Sequence, residues 1–567
     1  MKRYINASIP SVKVGRSRFD LGHRVLTSGS MGYLYPFECF EVLPGDTFKI
    51  DTSVVARLAS TFIKPIFDNI FIDVYFFFVP NRLTWENWKY FMGESKSAWA
   101  SSAYSVPTLS SLGSKKLSTA QNGSNRQVAE GLGFPIDRPV IAVDQEKGTV
   151  SPSVLPFRAF AMIYDEFFRD ENLISPMNVR KTNSSSNETL NSNDWSVNNY
   201  TGKVPKVAKL HDYFTSALPA PQKGTAPEVP ISLGAMPVVT SSSWNGLSAS
   251  TDTPLSGWNQ SEHLDFTPYY MTWVGLPTGL GGQVGVDSVD HELSPSAGFV
   301  PSNLIAPGGT GGFTVNDLRF AVQYQKMLER DARGGTRYIE MIASHFGVQT
   351  GDTRVQRPEF LGGKRIPVNV SQVVQHTGYS EDETPQTLGQ LGAYSLSGGR
   401  ARWTKSFVEH GYVIGVYAIR QFHTYQQGMQ RHWYRQARTD FYDPVFASLG
   451  EQPVYQYQLF SDEDNLLDKS VFGYQEAWAE YRRGVNRVGG QMASAASDSL
   501  DVWHLADFYE NAPILGQQFV EETPDYLNQA ITVEDTAQDQ FILDFWVGNI
   551  AVRPMPTYSV PGLVDHH

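Results

Sequence analysis

The residues that could carry out a reaction are few, and their spacing suits none. Gly363-Lys364 ends like a phosphate-cradling loop, but Pro358 stands where the first glycine belongs and Arg365 replaces the metal-binding hydroxyl. The run GLGGQVG over 279–285 fails the dinucleotide spacing, because Val284 occupies the third glycine position. No G-x-S-x-G elbow is present, and His291-Glu292 lacks the second histidine of a zinc-protease pair. Asp462, Glu463, Asp464 and Asp468 lack the glycine and spacing of a calcium loop and read as a solvated acidic turn. Glu476 and Glu480 would lie one helical turn apart and read as salt-bridge partners of Arg482 and Arg483. A carboxylate pair for glycoside hydrolysis is set in space and leaves no spacing to find. His410, His423 and His432 read as hydrogen-bonded structural residues. Cys39, the only cysteine, excludes an internal disulfide or a CxxC site and reads as a small buried apolar side chain. The sequence thus points to no enzyme, no cofactor and no metal.

Charge says more. The net charge of −12 argues against a protein that coats nucleic acid along its whole surface. Yet residues 1–26 carry Lys2, Arg3, Lys13, Arg16, Arg18 and Arg24 against Asp20 alone, a stretch suited to a polyanion and the candidate DNA-facing set. Residues 224–315 contain no Lys or Arg but hold Glu228, Asp252, Glu262, Asp265, Asp287, Asp290 and Glu292. A third stretch, 400–438, mixes arginines with Trp403, Phe407, Tyr412, Tyr425, Trp433 and Tyr434, and reads first as core and interface aromatics beside snorkelling arginines.

The elements that must position these residues are mainly strands. Charged residues at 18%, aromatics at 13%, 48 glycines and 33 prolines disfavour helical bundles, coiled coils and disorder. EVLPGDTFKIDTSVVARL (41–58) reads as strand, turn and strand. The apolar run in DNIFIDVYFFFVPNRL (68–83) predicts a strand covered on both faces, followed by a short helix in TWENWKYFMG capped by Thr84. LPFRAFAMIYDEFFRDENL predicts a helix with Pro156 in its first turn and a stripe of Phe157, Phe160, Ala161, Tyr164 and Phe168. TVNDLRFAVQYQKMLERDARGG predicts another, with a Thr314/Asp317 cap, a face of Leu318, Ala321, Val322, Gln325 and Leu328, and a stop at Gly334-Gly335. Strands return at 412–419 and 541–554. The segments 101–125 and 181–202 are polar enough to read as surface loops, and the proline-rich end as an extended arm. No stretch has the length or the charge pattern of a signal peptide or a membrane span, so a soluble chain with no membrane insertion is expected.

Several stretches together resemble the major capsid protein of microviruses (Microviridae), the small tailless single-stranded DNA bacteriophages, in their gokushovirus branch. They are EVLPGDTF (41–48), DNIFIDVYFFFVPNRLTWENW (68–88), LPFRAFAMIYDEFFRDENL (155–173), HDYFTSALPAPQKG (211–224), LERDARGGTRYIEMIASHFGV (328–348), QRPEFLGG (356–363), KSFVEHGYVIGVYAIR (405–420), TYQQG (424–428), FGYQEAWAEYR (472–482) and AVRPMPTYSVPGL (551–563). The loops at 101–150, 181–202 and 225–310 match no pattern of that family. The resemblance implies an eight-stranded antiparallel jelly-roll barrel with large loop and helix insertions. Sixty copies would close a T=1 icosahedral shell, through fivefold, threefold and twofold contacts, around a circular single-stranded DNA genome. It implies a basic N-terminal arm over 1–40, a jelly-roll core over 41–223 and 316–550, a threefold surface protrusion over 224–315, and an extended arm over 551–567. The implied partners are further copies of the chain, genomic DNA, a small basic DNA-binding virion protein, a DNA pilot protein and a host surface receptor. The implied place is the virion, assembled in the bacterial cytoplasm. Trp244, Trp258, Tyr269, Tyr270 and Trp273 are the candidate receptor contacts within the protrusion. The alternative reading is a β-sandwich glycan-binding protein or glycosidase, favoured by aromatic content alone.

Overall fold

In the computed structural model of the chain, the described residues are 15–94, 104–109, 125–135, 152–184, 188, 193–227, 315–374, 391–461 and 470–558, together with short strands between 239 and 305. The chain divides into two compact units, one of Met1–Lys223 with Leu328–His567 and one of Gly224–Met327. The first unit opens with β1 (Ser17–Asp20), β2 (His23–Gly29), β3 (Leu34–Val42), β4 (Thr47–Leu58) and β5 (Ile70–Pro80). The second holds β6 (Val239–Thr240), β7 (Leu255–Asn259), β8 (Tyr269–Val274), β9 (Gln283–Asp287), β10 (Phe299–Pro301) and β11 (Leu304–Ile305). The first resumes with β12 (Glu359–Pro367), β13 (Val370–Val374), β14 (Leu391–Ser406), β15 (Gly411–Gln421), β16 (Glu451–Tyr455), β17 (Val471–Glu476) and β18 (Phe541–Arg553).

Two antiparallel sheets dominate the first unit. One runs β1-β18-β4-β14-β13, with β2 also on β18, and the other runs β12-β5-β15-β3. Strands β1 and β2 form one interrupted edge: Ser17–Asp20 pairs with 550–553 of β18 and His23–Gly29 with 541–547. Residues 17–20 and 23–29 are therefore sheet. At the other end of the chain, Ala551 and Val552 pair with both β1 and β4. The chain turns from β3 to β4 at Leu43–Asp46, where Gly45 takes φ +94 and the Asp46 carboxylate accepts from the Leu43 amide at 2.8 Å.

The sheets face each other across one apolar core. Phe37 of β3 stacks on Phe545 of β18 with centroids 4.2 Å apart, Phe76 meets Trp403 at 5.8 Å, and Phe78 meets Phe407 at 4.6 Å. Period-two burial in β18 puts Phe541, Leu543, Phe545, Val547 and Ala551 inside. Mainly β, antiparallel architecture is thus what the sequence predicted. The closed eight-stranded barrel is a different matter: among the described residues no strand pairs across from one sheet to the other. The physical reason is that β4, β14 and β18 are long and recruit β1 and β2 as a further edge, so one sheet grows wide and both stay open.

Strand β5 is covered on both faces, as its unbroken apolar run requires. The second cover is the helix Leu155–Phe167, where Phe167 packs on Phe77 at 4.6 Å. The predicted stripe Phe157, Phe160, Ala161, Tyr164 and Phe168 is buried, but so are Arg158, Ala159, Met162 and Ile163. Arg158 is held by two hydrogen bonds to Glu188, at 2.8 and 2.7 Å. The polar 181–202 segment is consequently not all surface loop: Glu188 and Tyr200 lie inside.

Two local expectations are corrected. The helix after β5 is two short turns, Asn81–Thr84 and Trp88–Phe91, and Thr84 ends the first by donating to the Asn81 carbonyl at 3.0 Å. Residues 476–483 are not a helix either. Glu476 ends β17, Trp478 takes φ +64, and Ala479–Tyr481 is a 3₁₀ turn, so Glu476 meets Arg482 at 3.0 Å while Glu480 meets Arg435 at 2.9 Å.

Candidate functional surfaces

The outer face of the six-stranded sheet gathers charges that lie far apart in sequence. Residues directly opposite in an antiparallel ladder share a face. The register aligns Arg24, Trp546, Ser53 and Arg400 in one row across β2, β18, β4 and β14, and Gly548, Asp51 and Arg402 in another. Lys49 and Arg57 of β4 and Arg18 of β1 join the same face, with Leu26 at 63% and Trp546 at 53% exposure among them. Arg24 donates twice to Asp544, at 2.8 and 2.6 Å, and this bond holds the Asp544 carboxyl below the usual carboxylate range. Arg400 and Arg402 share Asp51 at 3.5 and 3.1 Å. Arg18, Lys49 and Arg57 have no ion-pair partner among the described residues.

Of the six basic residues singled out in the sequence, Arg18 and Arg24 therefore lie on this face. Arg16, just before β1, reaches the 43–46 turn beside Gly45 and Pro554. Lys2, Arg3 and Lys13 lie outside the described residues. Lys49, Arg57, Arg400, Arg402 and Trp546 are neighbours that the basic-arm reading did not include. The strict alternation of Phe48, Ile50, Val54 and Ala56 with Lys49, Asp51, Val55 and Arg57 was the signal that could have placed two of them.

A second surface is apolar. The helix Val315–Arg333 buries only Leu328 and Ala332, and its end is marked by Gly335 at φ +91. Leu318 and Val322 of the predicted stripe are exposed, with Phe320 at 72% stacked on Tyr324, centroids 5.9 Å apart. Thr314, the predicted cap, lies outside the described residues. In the unit Gly224–Met327, Trp258 lies in β7 opposite Val300, Tyr269 and Tyr270 in β8 opposite Gly257 and Ser256, and Trp273 in β8 opposite Val284. The sheet order there is β10-β7-β8-β9, which brings four of the five candidate receptor residues onto adjacent strands; Trp244 is outside the described residues.

Beneath the surfaces lies a charge network with no access to water. His423 Nδ1 meets Asp507 at 2.7 Å and His423 Nε2 meets Glu522 at 3.2 Å, while Lys209 Nζ meets Asp507 at 3.1 Å. Burial opposes the charge on His423, but the two carboxylates outweigh it and push the imidazole up to about 9. Burial would likewise raise Asp507, yet Lys209 and His423 hold it well below the usual range. Two cations thus balance two anions, tying four separate segments together. His432, in contrast, is exposed beside Trp433, and His410 packs edge-on against Trp88 at 5.6 Å. Cys39 in β3 is partly covered, and its buried surroundings push the thiol up to about 12. Among the described residues no cluster of His, Cys, Asp or Glu could hold a metal, and no helix is long and apolar enough to cross a membrane. The acidic turn with Asp462 and Asp468 lies outside the described residues.

Comparison with known proteins agrees with what these surfaces suggest. The family model described as capsid protein (F protein) matches residues 7–563. The chain is 36% identical to capsid protein VP1 of Chlamydia phage 1, over 98% of this chain and 97% of that one. It is equally 36% identical to capsid protein VP1 of Bdellovibrio phage phiMH2K (98% and 97%) and of Spiroplasma virus 4 (97% and 96%). With this match over nearly its full length, the sandwich with its basic open face belongs to the phage capsid protein (F protein) family.

Proposed function

We propose that the chain is the major capsid protein of a small single-stranded DNA bacteriophage, with sixty copies closing a T=1 icosahedral shell around a circular genome. The observation that carries this is the match of nearly the whole chain to phage capsid proteins. The fold supports it: β3, β5, β12 and β15 form one sheet while β4, β13, β14 and β18 lie in the other, so the chain passes repeatedly between facing sheets as an eight-stranded jelly roll does. The strands β1 and β2 are then additions to that core.

Assembly follows from surface left unspent. Contacts that are not self-complementary, related by rotation, close rings and then a shell. A standard interface of roughly 1,600 Å² is worth about 40 kcal/mol gross at about 25 cal/mol per Å². Lost rigid-body freedom and loop ordering offset most of that, which leaves each contact weak enough to correct errors. Exposed Phe320, Tyr324 and Leu318 are suited to such contacts.

The genome meets the basic residues 1–26 and the sheet face they continue into, with a small basic virion protein completing neutralisation and a pilot protein accompanying the DNA. The insertion 224–315, acidic and free of Lys and Arg, is the threefold protrusion and contacts the host receptor through Trp244, Trp258, Tyr269, Tyr270 and Trp273. Sedimentation of the purified chain tests the shell reading: megadalton particles or discrete assembly intermediates are expected, and a monomer at every concentration would overturn it.

A further inference from the structure

We propose that a basic, aromatic-rimmed cavity between residues 425–435 and 480–487 is a nucleotide-binding subsite for single-stranded DNA. The inference deepens the genome-contact reading above and rests on it.

The cavity measures about 460 Å³, a size suited to one nucleotide-sized guest. Its floor is apolar and rigid: Phe214 packs edge-on against Tyr425 at 4.8 Å within the second core cluster. Its walls carry Arg431, Arg435, Arg483 and Arg487 against a single carboxylate, Glu480. That carboxylate is already used. Arg435 reaches Glu480 at 2.9 Å, Arg431 at 3.8 Å, and Gln452 donates to it at 2.6 Å. Arg483 donates to the Ser216 hydroxyl at 2.8 Å, and neither Arg483 nor Arg487 has an ion-pair partner among the described residues. In a chain of net charge −12, such a local excess of arginine runs against the whole.

Two buried donors lack an acceptor here. Arg435, its side chain 7% exposed, leaves Nε without a partner, and Gln458, also 7% exposed, leaves Nε2 without one. Buried donors without acceptors are rare because they are costly, but neither atom is accessible, so the donors that a guest can reach are the exposed guanidinium groups of Arg483 and Arg487. The rim supplies the other half of the recognition. Trp433 is 71% exposed, whereas the half-exposed Tyr481 ring already carries the Arg435 guanidinium 4.5 Å from its centroid. Open π-faces beside guanidinium groups are the chemistry that binds successive bases and phosphates of a single strand. An acidic peptide would use the arginines and leave the open Trp433 ring without a role.

Ultraviolet crosslinking of DNA-filled particles, followed by peptide mass spectrometry, tests this without altering the protein. Nucleotide adducts are expected on Trp433 or Tyr481. Binding of a labelled oligothymidylate of about ten nucleotides to the purified full-length chain gives a second readout. Trp433→Ala removes an exposed ring that lies beside His432, centroids 4.9 Å apart, and should weaken binding about tenfold. Arg483→Gln with Arg487→Gln should flatten the slope of log affinity against log salt by about 1.4, two phosphates at roughly 0.7 each. Intact DNA-filled particles whose adducts all lie elsewhere, with oligonucleotide affinity and slope unchanged in the variants, would overturn the cavity inference and leave the shell reading standing. A crosslink joining the cavity to an acidic protein segment would overturn it in favour of a subunit contact. A chain that forms no particles but loses oligothymidylate affinity in these variants would fail the shell reading and keep the cavity.

Discussion

His423, with a carboxylate on each ring nitrogen, sets a proton-dependent limit on stability. In the folded chain it is pushed up to about 9 from the ordinary 6.5, so its contribution is complete below pH 6.5 and disappears as pH rises through about 9. The shift corresponds to something on the order of 3 kcal/mol. Asp507 runs the other way: held below its usual range, it stabilises above about pH 4 and fades only in strong acid. We expect the melting temperature of the wild-type chain to fall between pH 8 and 10, and His423→Gln to be less stable at pH 7 and to lose that alkaline fall. A variant whose melting temperature tracks wild type across the range would remove the network from the account. The basic residues make a second test at this scale. Changing Lys2, Arg3, Lys13, Arg16, Arg18 and Arg24 to glutamine should lower DNA retention and reduce the salt sensitivity of particles. Arg24 will contribute least, because Asp544 already neutralises it. Unchanged genome content and unchanged salt response would contradict a DNA-facing role.

Elements show what was legible in the sequence and what was not. The Phe-rich strand β5 and the helix Leu155–Phe167 could be read directly, because a continuous apolar run and a 3.6-residue stripe are local signals. The Glu/Ala/Arg-rich segment 476–483 read as helix on propensity, but Trp478 in a left-handed conformation turns the chain, and tertiary packing overrides the preference. Glu188 was hidden among serines and asparagines, since its burial is dictated by Arg158 on a distant helix. Nor could the sequence reveal that residues 17–29 pair with 541–553, a contact between the two ends of the chain. Of the basic surface, the charge excess was legible and the sheet that displays it was not. Two element-scale tests follow. Phe545→Ala removes the ring that joins the two sheets at Phe37 and Tyr417 and should cost about 3–5 kcal/mol in chemical denaturation, whereas a loss below about 1 kcal/mol would deny that the facing sheets share one core. Deleting 224–315 should leave particles able to form but unable to adsorb to the host; adsorption that survives the deletion would rule out the protrusion as the receptor-binding element.

For the whole molecule, the claim is that free energy goes into contacts with further copies. The sandwich supplies the tile, its charge network and packed core fix the tile's shape, and its sheet face leaves surface exposed. Cryo-electron microscopy of particles assembled from this chain is the most direct measurement. The account predicts a closed shell of sixty copies in which β2, β18 and β14 present Arg24, Trp546 and Arg400 to the DNA and the 224–315 insertion rises at the threefold axes. A shell of another copy number, or one with that sheet face turned to the outside solvent, would contradict it.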